Sequence, residues 1–163
     1  MGINTSNANL EPINEALLIV FVKNIKLGKV KTRLAKSIGN QAAFEIYKAL
    51  VAITEQVTST LEVDKHIYFS DVVIETKWKQ DLKFVQQGDS LGDRMKHAIQ
   101  KGFEDGYKKV ILIGSDLPTI SESVIKKGFD ALEDTKLVFG PAQDGGYYLI
   151  GFSEQLDFVF ENK

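Results

Sequence analysis

A chain of 163 residues that is 44% hydrophobic and 26% charged has the composition of one globular domain built on one core. With no Cys, it excludes disulfides, zinc–thiolate sites, iron–sulfur clusters and thiol nucleophiles. A net charge of −2, from 20 basic against 22 acidic residues, argues against a nucleic-acid partner.

Residues 1–15 are polar and lack the basic and apolar regions of a signal peptide, so a flexible N-terminal segment is expected ahead of a single domain over 16–163. Ala16–Val22 is the longest apolar run. It reads as a strand buried on both faces and falls far short of the roughly 20 residues of a membrane span. A soluble, cytoplasmic protein is therefore expected. A basic loop starts at Lys23, and a helix is predicted from about Asn40. Its apolar positions are Ala43, Ile46, Tyr47, Leu50, Val51 and Val57, with Gly39–Asn40 as the start signal. Short strands are predicted at His66–Ser70 and Leu82–Val85.

The next helix is predicted over Leu91–Glu104, with Leu91, Met95, Ala98, Ile99 and Phe103 in one stripe and Gly106 as the stop. Val110–Ile113 reads as a second buried strand that ends in Gly114-Ser115-Asp116-Leu117-Pro118. Ser121 opens a short helix to about Leu132, and strands follow at Leu137–Phe139 and Tyr147–Ile150. Strands alternate with helices, and the central strands show no polar alternation. That pattern predicts an α/β fold with a mainly parallel sheet covered by helices. Ligands bind beyond the carboxyl ends of such strands, so the loops after Val22, Ile113 and Phe139 should share one crevice.

Each of those loops carries candidate chemistry. The first, Lys23 to Lys36, is rich in Lys, contains Arg33 and has no acid. Gly28 permits close backbone approach to an anion, and Thr32 adds a hydroxyl. The loop is neither a Walker A motif nor G-x-G-x-x-G, because Arg33 stands where Walker A requires Gly. In the second loop Asp116 is a carboxylate at a strand end, placed to hold a divalent ion against phosphate oxygens. Ser121 is better placed to cap the next helix, which leaves Asp116 free of that duty. The third loop, Gly140 to Tyr148, carries Asp144 and an aromatic pair that would serve as core or as a platform for a sugar or base. A fourth segment, Gln87 to Arg94, places one of only two Arg in the chain at a helix entry, within reach of an anion or of Asp93. His66, in a strand, and His97, on the polar side of a helix, form no constellation. Trp78 reads as core edge.

Taken in order, Lys23…Gly28-Lys-Val-Lys31-Thr32-Arg33-Leu34, Gln87-Gly88…Leu91-Gly92-Asp93-Arg94, Gly114-Ser-Asp116-Leu-Pro118 and Gly140-Pro…Asp144-Gly-Gly-Tyr-Tyr resemble the CofC-like glycosyltransferases. These belong to the GT-A nucleotide-diphospho-sugar transferase superfamily, beside the MobA and CofC nucleotidyltransferases. The resemblance spans about residues 16 to 152 and implies a three-layer Rossmann-like GT-A fold with helices on both faces of the sheet. It further implies that Lys31, Thr32 and Arg33 line the nucleotide diphosphate and that Asp116 is the metal-binding acid for Mg²⁺ or Mn²⁺. Asp144 would then be the second catalytic acid. Lys23, Gly28, Gln87, Gly88, Arg94 and Ser115 complete the expected nucleotide and phosphate site. Pro118, Gly145, Gly146 and Tyr147 complete the donor or acceptor side.

The activity this implies is a metal-dependent glycosyl transfer from a nucleotide sugar to a small-molecule acceptor. A nucleotidyl transfer from a nucleoside triphosphate is the alternative, and a non-catalytic nucleotide-binding module a third. A second copy of the chain is an optional partner. Two departures from the family pattern stand out. The usual Pro before Gly28 is missing from Ile25-Lys-Leu-Gly28, and the sequence stops at Lys163, so the family's late acidic segment is expected to be lacking.

Overall fold

A computed structural model describes residues 15–24, 39–141 and 147–155. Six strands form one sheet in the order β3-β2-β1-β4-β6-β5. In chain order they are β1 (Ala16–Val22), β2 (Asp64–Phe69), β3 (Leu82–Val85), β4 (Lys109–Gly114), β5 (Leu137–Pro141) and β6 (Tyr147–Phe152). The helices among the described residues are α1 (Asn40–Ser59), α2 (Leu91–Glu104) and α3 (Glu122–Ala131). β1 runs parallel to both β2 and β4, and β2 parallel to β3. β6 alone is reversed, antiparallel to β4 on one side and β5 on the other. The sheet is thus mainly parallel, as the sequence predicts, with one reversal that hydropathy does not encode.

The apolar strands are sandwiched because their side chains alternate between two covered faces. Leu18, Val20 and Val22 of β1 join Tyr47 and Val51 of α1 and Ile125 and Phe129 of α3. Leu17, Ile19 and Phe21 join Met95, Ala98 and Ile99 of α2. Helices therefore lie on both faces, in a three-layer Rossmann-like arrangement. Ser90 and Ser121 start α2 and α3, their side chains accepting from the Asp93 and Val124 amides at 3.1 Å. α1 starts at Asn40, but Gly39 in the cap position offers no side-chain acceptor. Ile46 and Leu91, predicted on apolar stripes, are exposed.

Two features anchor the sheet's flanks. Trp78 is buried at 3% exposure against α1, its indole Nε1 donating to Thr58 Oγ1 at 2.9 Å and its backbone amide to Glu55 Oε2 at 2.8 Å. It holds φ at 44°, a left-handed conformation that a bulky side chain seldom adopts without tertiary support. His66, on β2, is buried between the rings of Phe84 and Tyr107, at 5.2 and 5.8 Å between centroids.

Burial lowers the His66 pKa to about 4, with Asp105 pulling it up and Lys101 pushing it down. Because the folded pKa lies below the unfolded value near 6.5, the unfolded chain binds the extra proton between those two pH values. Stability should therefore decline as pH falls from about 6.5 to 4, by up to about 1.4 kcal/mol per pH unit. Urea unfolding of the parent and of His66→Phe across that range checks this. The variant should lack that part of the slope.

Candidate functional site

β1 and β4 lie side by side in register, with Phe21 opposite Gly114, so both strands deliver their next residues to the same edge of the sheet. Lys23 and Asn24 follow β1, and Ser115 and Asp116 follow β4. Lys23 and Asp116 are exposed, whereas Asn24 and Ser115 are buried beneath them. A cation and a carboxylate thus stand at the open edge on a buried polar floor.

Tyr47 of α1 supplies part of that floor. Its hydroxyl lies 3.4 Å from Ser115 Oγ. Burial raises its pKa; the Asp116 charge adds to the rise, while hydrogen bonding from Ser115 and the Lys23 backbone opposes it. Tyr47 therefore stays a neutral phenol that ties α1 to the ends of β1 and β4. In the sequence it reads only as one more apolar position of a helix stripe. The signal available was a polar tip on a residue whose neighbours in the stripe are aliphatic.

Asn24 is the second residue that the motif reading passed over. At 7% exposure, its Oδ1 accepts from the backbone amides of Asp71 and Val72 at 2.6 and 2.9 Å, and its Nδ2 donates to Val72 O at 2.9 Å. Its own amide donates to Ser70 Oγ at 2.8 Å. One amide side chain thereby pins the turn after β2 against the end of β1. Asn24→Ala would strand those backbone groups, and we expect a loss of about 2–3 kcal/mol in unfolding free energy, measured by urea titration.

The Gln87–Gly88 segment sits at the same edge, after β3. Gly88 has φ 139°, and a Cβ there would lie 2.8 Å from Asp93 Cβ and 2.9 Å from the Arg94 amide. Only Gly fits this approach to the start of α2. Arg94 Nε donates to Gly88 O at 3.0 Å and its Nη1 to Gln86 Oε1 at 3.3 Å, so in this arrangement Arg94 braces the turn and does not pair with Asp93. Pro118 is exposed in the turn that leads to Ile120. Tyr147 is half-buried at the start of β6, where it pairs with Pro141 of β5. His97 lies opposite the buried Met95–Ala98–Ile99–Gly102 face of α2, on its polar side, and is half-buried with an enclosed Nδ1. Gly28, Lys31, Thr32, Arg33, Asp144, Gly145 and Gly146 lie outside the described residues.

Among the described residues no three His, Cys, Asp or Glu side chains group as a metal cage. Mg²⁺ rarely uses such a cage; one or two carboxylates plus substrate phosphates suffice. An exposed Asp116 at the strand end, with Lys23 across the edge, fits that mode of binding. A cavity of about 330 Å³ opens next to Asp116, lined by Phe21, Leu91, Met95, Leu112, Gly114, Tyr147 and Tyr148. The larger depressions, of about 580 and 540 Å³, lie along α1 and the Trp78 loop, away from this edge. No helix among the described residues is long and apolar enough to cross a membrane.

The model of the family described as "Uncharacterized protein conserved in bacteria (DUF2064)" matches residues 43–163. The crystal structure of a Desulfovibrio desulfuricans G20 protein, provisionally assigned as a nucleotide-diphospho-sugar transferase, is 39% identical in sequence. It superposes with a TM-score of 0.86 over 93% of this chain and 69% of that one. A cytidylyltransferase from Leptospira borgpetersenii shares the fold at TM-score 0.57 and 10% identity, over 90% of this chain and 62% of that one. The Mycobacterium tuberculosis H37Rv protein Rv0371c, in complex with manganese, does so at 0.52 and 10%, over 92% and 77%. No curated protein matches the sequence.

Proposed function

The chain belongs to the DUF2064 family, and from that premise we propose that it is a CofC-like glycosyltransferase moving a sugar from a nucleotide-diphosphate donor to a small acceptor. The observation that carries this is the convergence of Lys23 and Asp116 at one sheet edge, over the buried Tyr47–Ser115 floor. The likeness to a provisionally assigned nucleotide-diphospho-sugar transferase at 39% identity supports it. In the transfer, an acceptor oxygen bonds to the anomeric carbon, the bond from that carbon to the diphosphate breaks, and the acceptor proton passes to a carboxylate. Asp144 is the candidate for that base.

The negative charge that develops on the departing diphosphate is the quantity a site must stabilise. Lys23 stands where it would face that charge, and Lys31, Thr32 and Arg33 of the basic loop are the further candidates for that contact. Asp116 would hold Mg²⁺ or Mn²⁺ together with the nucleotide. When bound, that ion supplies Lewis-acid stabilisation of the phosphate oxygens. Tyr47, as a neutral phenol hydrogen-bonded to Ser115, fixes the backbone that presents Asp116.

The fold likeness to a cytidylyltransferase supports a second reading. In it a substrate phosphate attacks the α-phosphate of a nucleoside triphosphate and pyrophosphate leaves. Product analysis separates the two: nucleoside diphosphate is expected from a sugar nucleotide, and pyrophosphate release from a triphosphate would favour the second. Calorimetry with both ligand classes, with and without Mg²⁺ or Mn²⁺, tests the shared premise. An absence of binding at millimolar ligand would reject both enzymes.

A further inference from the structure

The crevice is chemically two-sided. Lys23, Ser115 and Asp116 are polar, yet the described residues that line the 330 Å³ cavity beside them carry no charge. Its described lining comes from Phe21 of β1, Leu112 and Gly114 of β4, Leu91 and Met95 of α2, and Tyr147 and Tyr148 of β6. The Tyr147 hydroxyl is turned to Met95 Sδ at 3.8 Å, so the ring itself contributes apolar surface. Leu91, also on the lining, is 64% exposed, so the apolar wall is reachable from solvent.

Resting on the transferase reading, we propose that this cavity binds the uncharged ring or short hydrocarbon part of the acceptor. Among the described residues the wall is mostly apolar, so a sugar or phosphate placed there would lose water for few hydrogen-bond partners, which disfavours both. A nucleobase would likewise find few partners among these residues for its polar edge. The volume matches the lower end of small-molecule sites, which are mostly apolar with few polar groups. Gly114 joins the cavity to the polar side. It lines the cavity, and a Cβ built on it would sit 3.4 Å from Asp116 Oδ1, with no other neighbour within 4 Å among the described residues. No side chain at this position therefore separates a molecule seated in the cavity from the carboxylate.

The chain has two methionines, Met1 and Met95, so protein labelled with ¹³C at the methionine methyls carries one reporter in the cavity wall. Met95→Leu identifies that signal. Titration with benzyl alcohol should shift the Met95 signal to saturation at millimolar concentration, whereas glycerol should not. Leu91→Glu should weaken the benzyl alcohol response about fivefold or more. This variant keeps the fold, because the residue is exposed and a carboxylate is favoured in the first turn of a helix.

A Met95 signal that ignores benzyl alcohol, that responds equally to glycerol, or that is unaffected by Leu91→Glu overturns the proposal. Repeating the titration with saturating UDP, CDP, GDP or ADP and Mg²⁺ should leave the response in place. Competition by a nucleotide would assign the cavity to the base and overturn the acceptor role. Calorimetry of the same nucleotides is read separately. Its failure with an intact Met95 response rejects the transferase reading alone, and intact nucleotide binding with a silent Met95 rejects the cavity alone.

Discussion

Asp116→Asn should abolish metal-dependent nucleotide binding, with a loss of about 100-fold or more in affinity measured by calorimetry in Mg²⁺ or Mn²⁺. The substitution keeps the shape of the side chain and removes its charge. Because Asp116 is exposed and neither caps α3 nor supports a strand, the thermal midpoint without ligand should hardly move. A variant that binds nucleotide and metal as the parent does would remove Asp116 from the site. One that is also strongly destabilised would show that the carboxylate has a structural duty.

Trp78→Ala should be the most damaging single substitution to the fold, costing about 3–5 kcal/mol in urea unfolding. Three effects add. The buried ring leaves a cavity beside α1, the Thr58 hydroxyl loses its indole donor, and a segment held at positive φ loses the packing that keeps it there. Trp78→Phe separates them, retaining most of the volume while deleting the indole N–H, and should cost appreciably less. Equal losses in the two variants would place the stabilisation in the hydrogen bond and not in packing.

The elements that were legible are those whose burial is written in their composition. The strands Ala16–Val22 and Lys109–Gly114 stand out because both their faces are covered, and Leu91–Glu104 has the predicted bounds through its buried stripe. Leu82–Val85, by contrast, keeps its predicted bounds as an edge strand with no buried residue. The direction of β6 was not legible, since an apolar strand reads the same in either direction. Nor were Tyr47 and Asn24, whose importance lies in what a single hydroxyl or amide meets across the chain, at Ser115 in one case and at Asp71 and Val72 in the other. Arg94 carried a strong signal as one of two Arg, but that signal could not distinguish an anion contact from a brace on Gly88. The position of Asp116 at the end of β4 was legible because a short polar turn after a buried strand has a fixed place in such sheets.

The placement of β1 in mid-sheet also governs when the crevice can exist during synthesis. Its partner β4 is separated from it by β2, β3 and two helices, and Lys23 meets the Ser115–Asp116 turn only after that pairing closes. A nascent chain that has released everything up to α2 can pair β1 with β2 and β2 with β3 but has no second wall. Its β1 edge waits, apolar and unpaired, until β4 arrives, and that interval is where the newborn chain is most exposed to wrong partners.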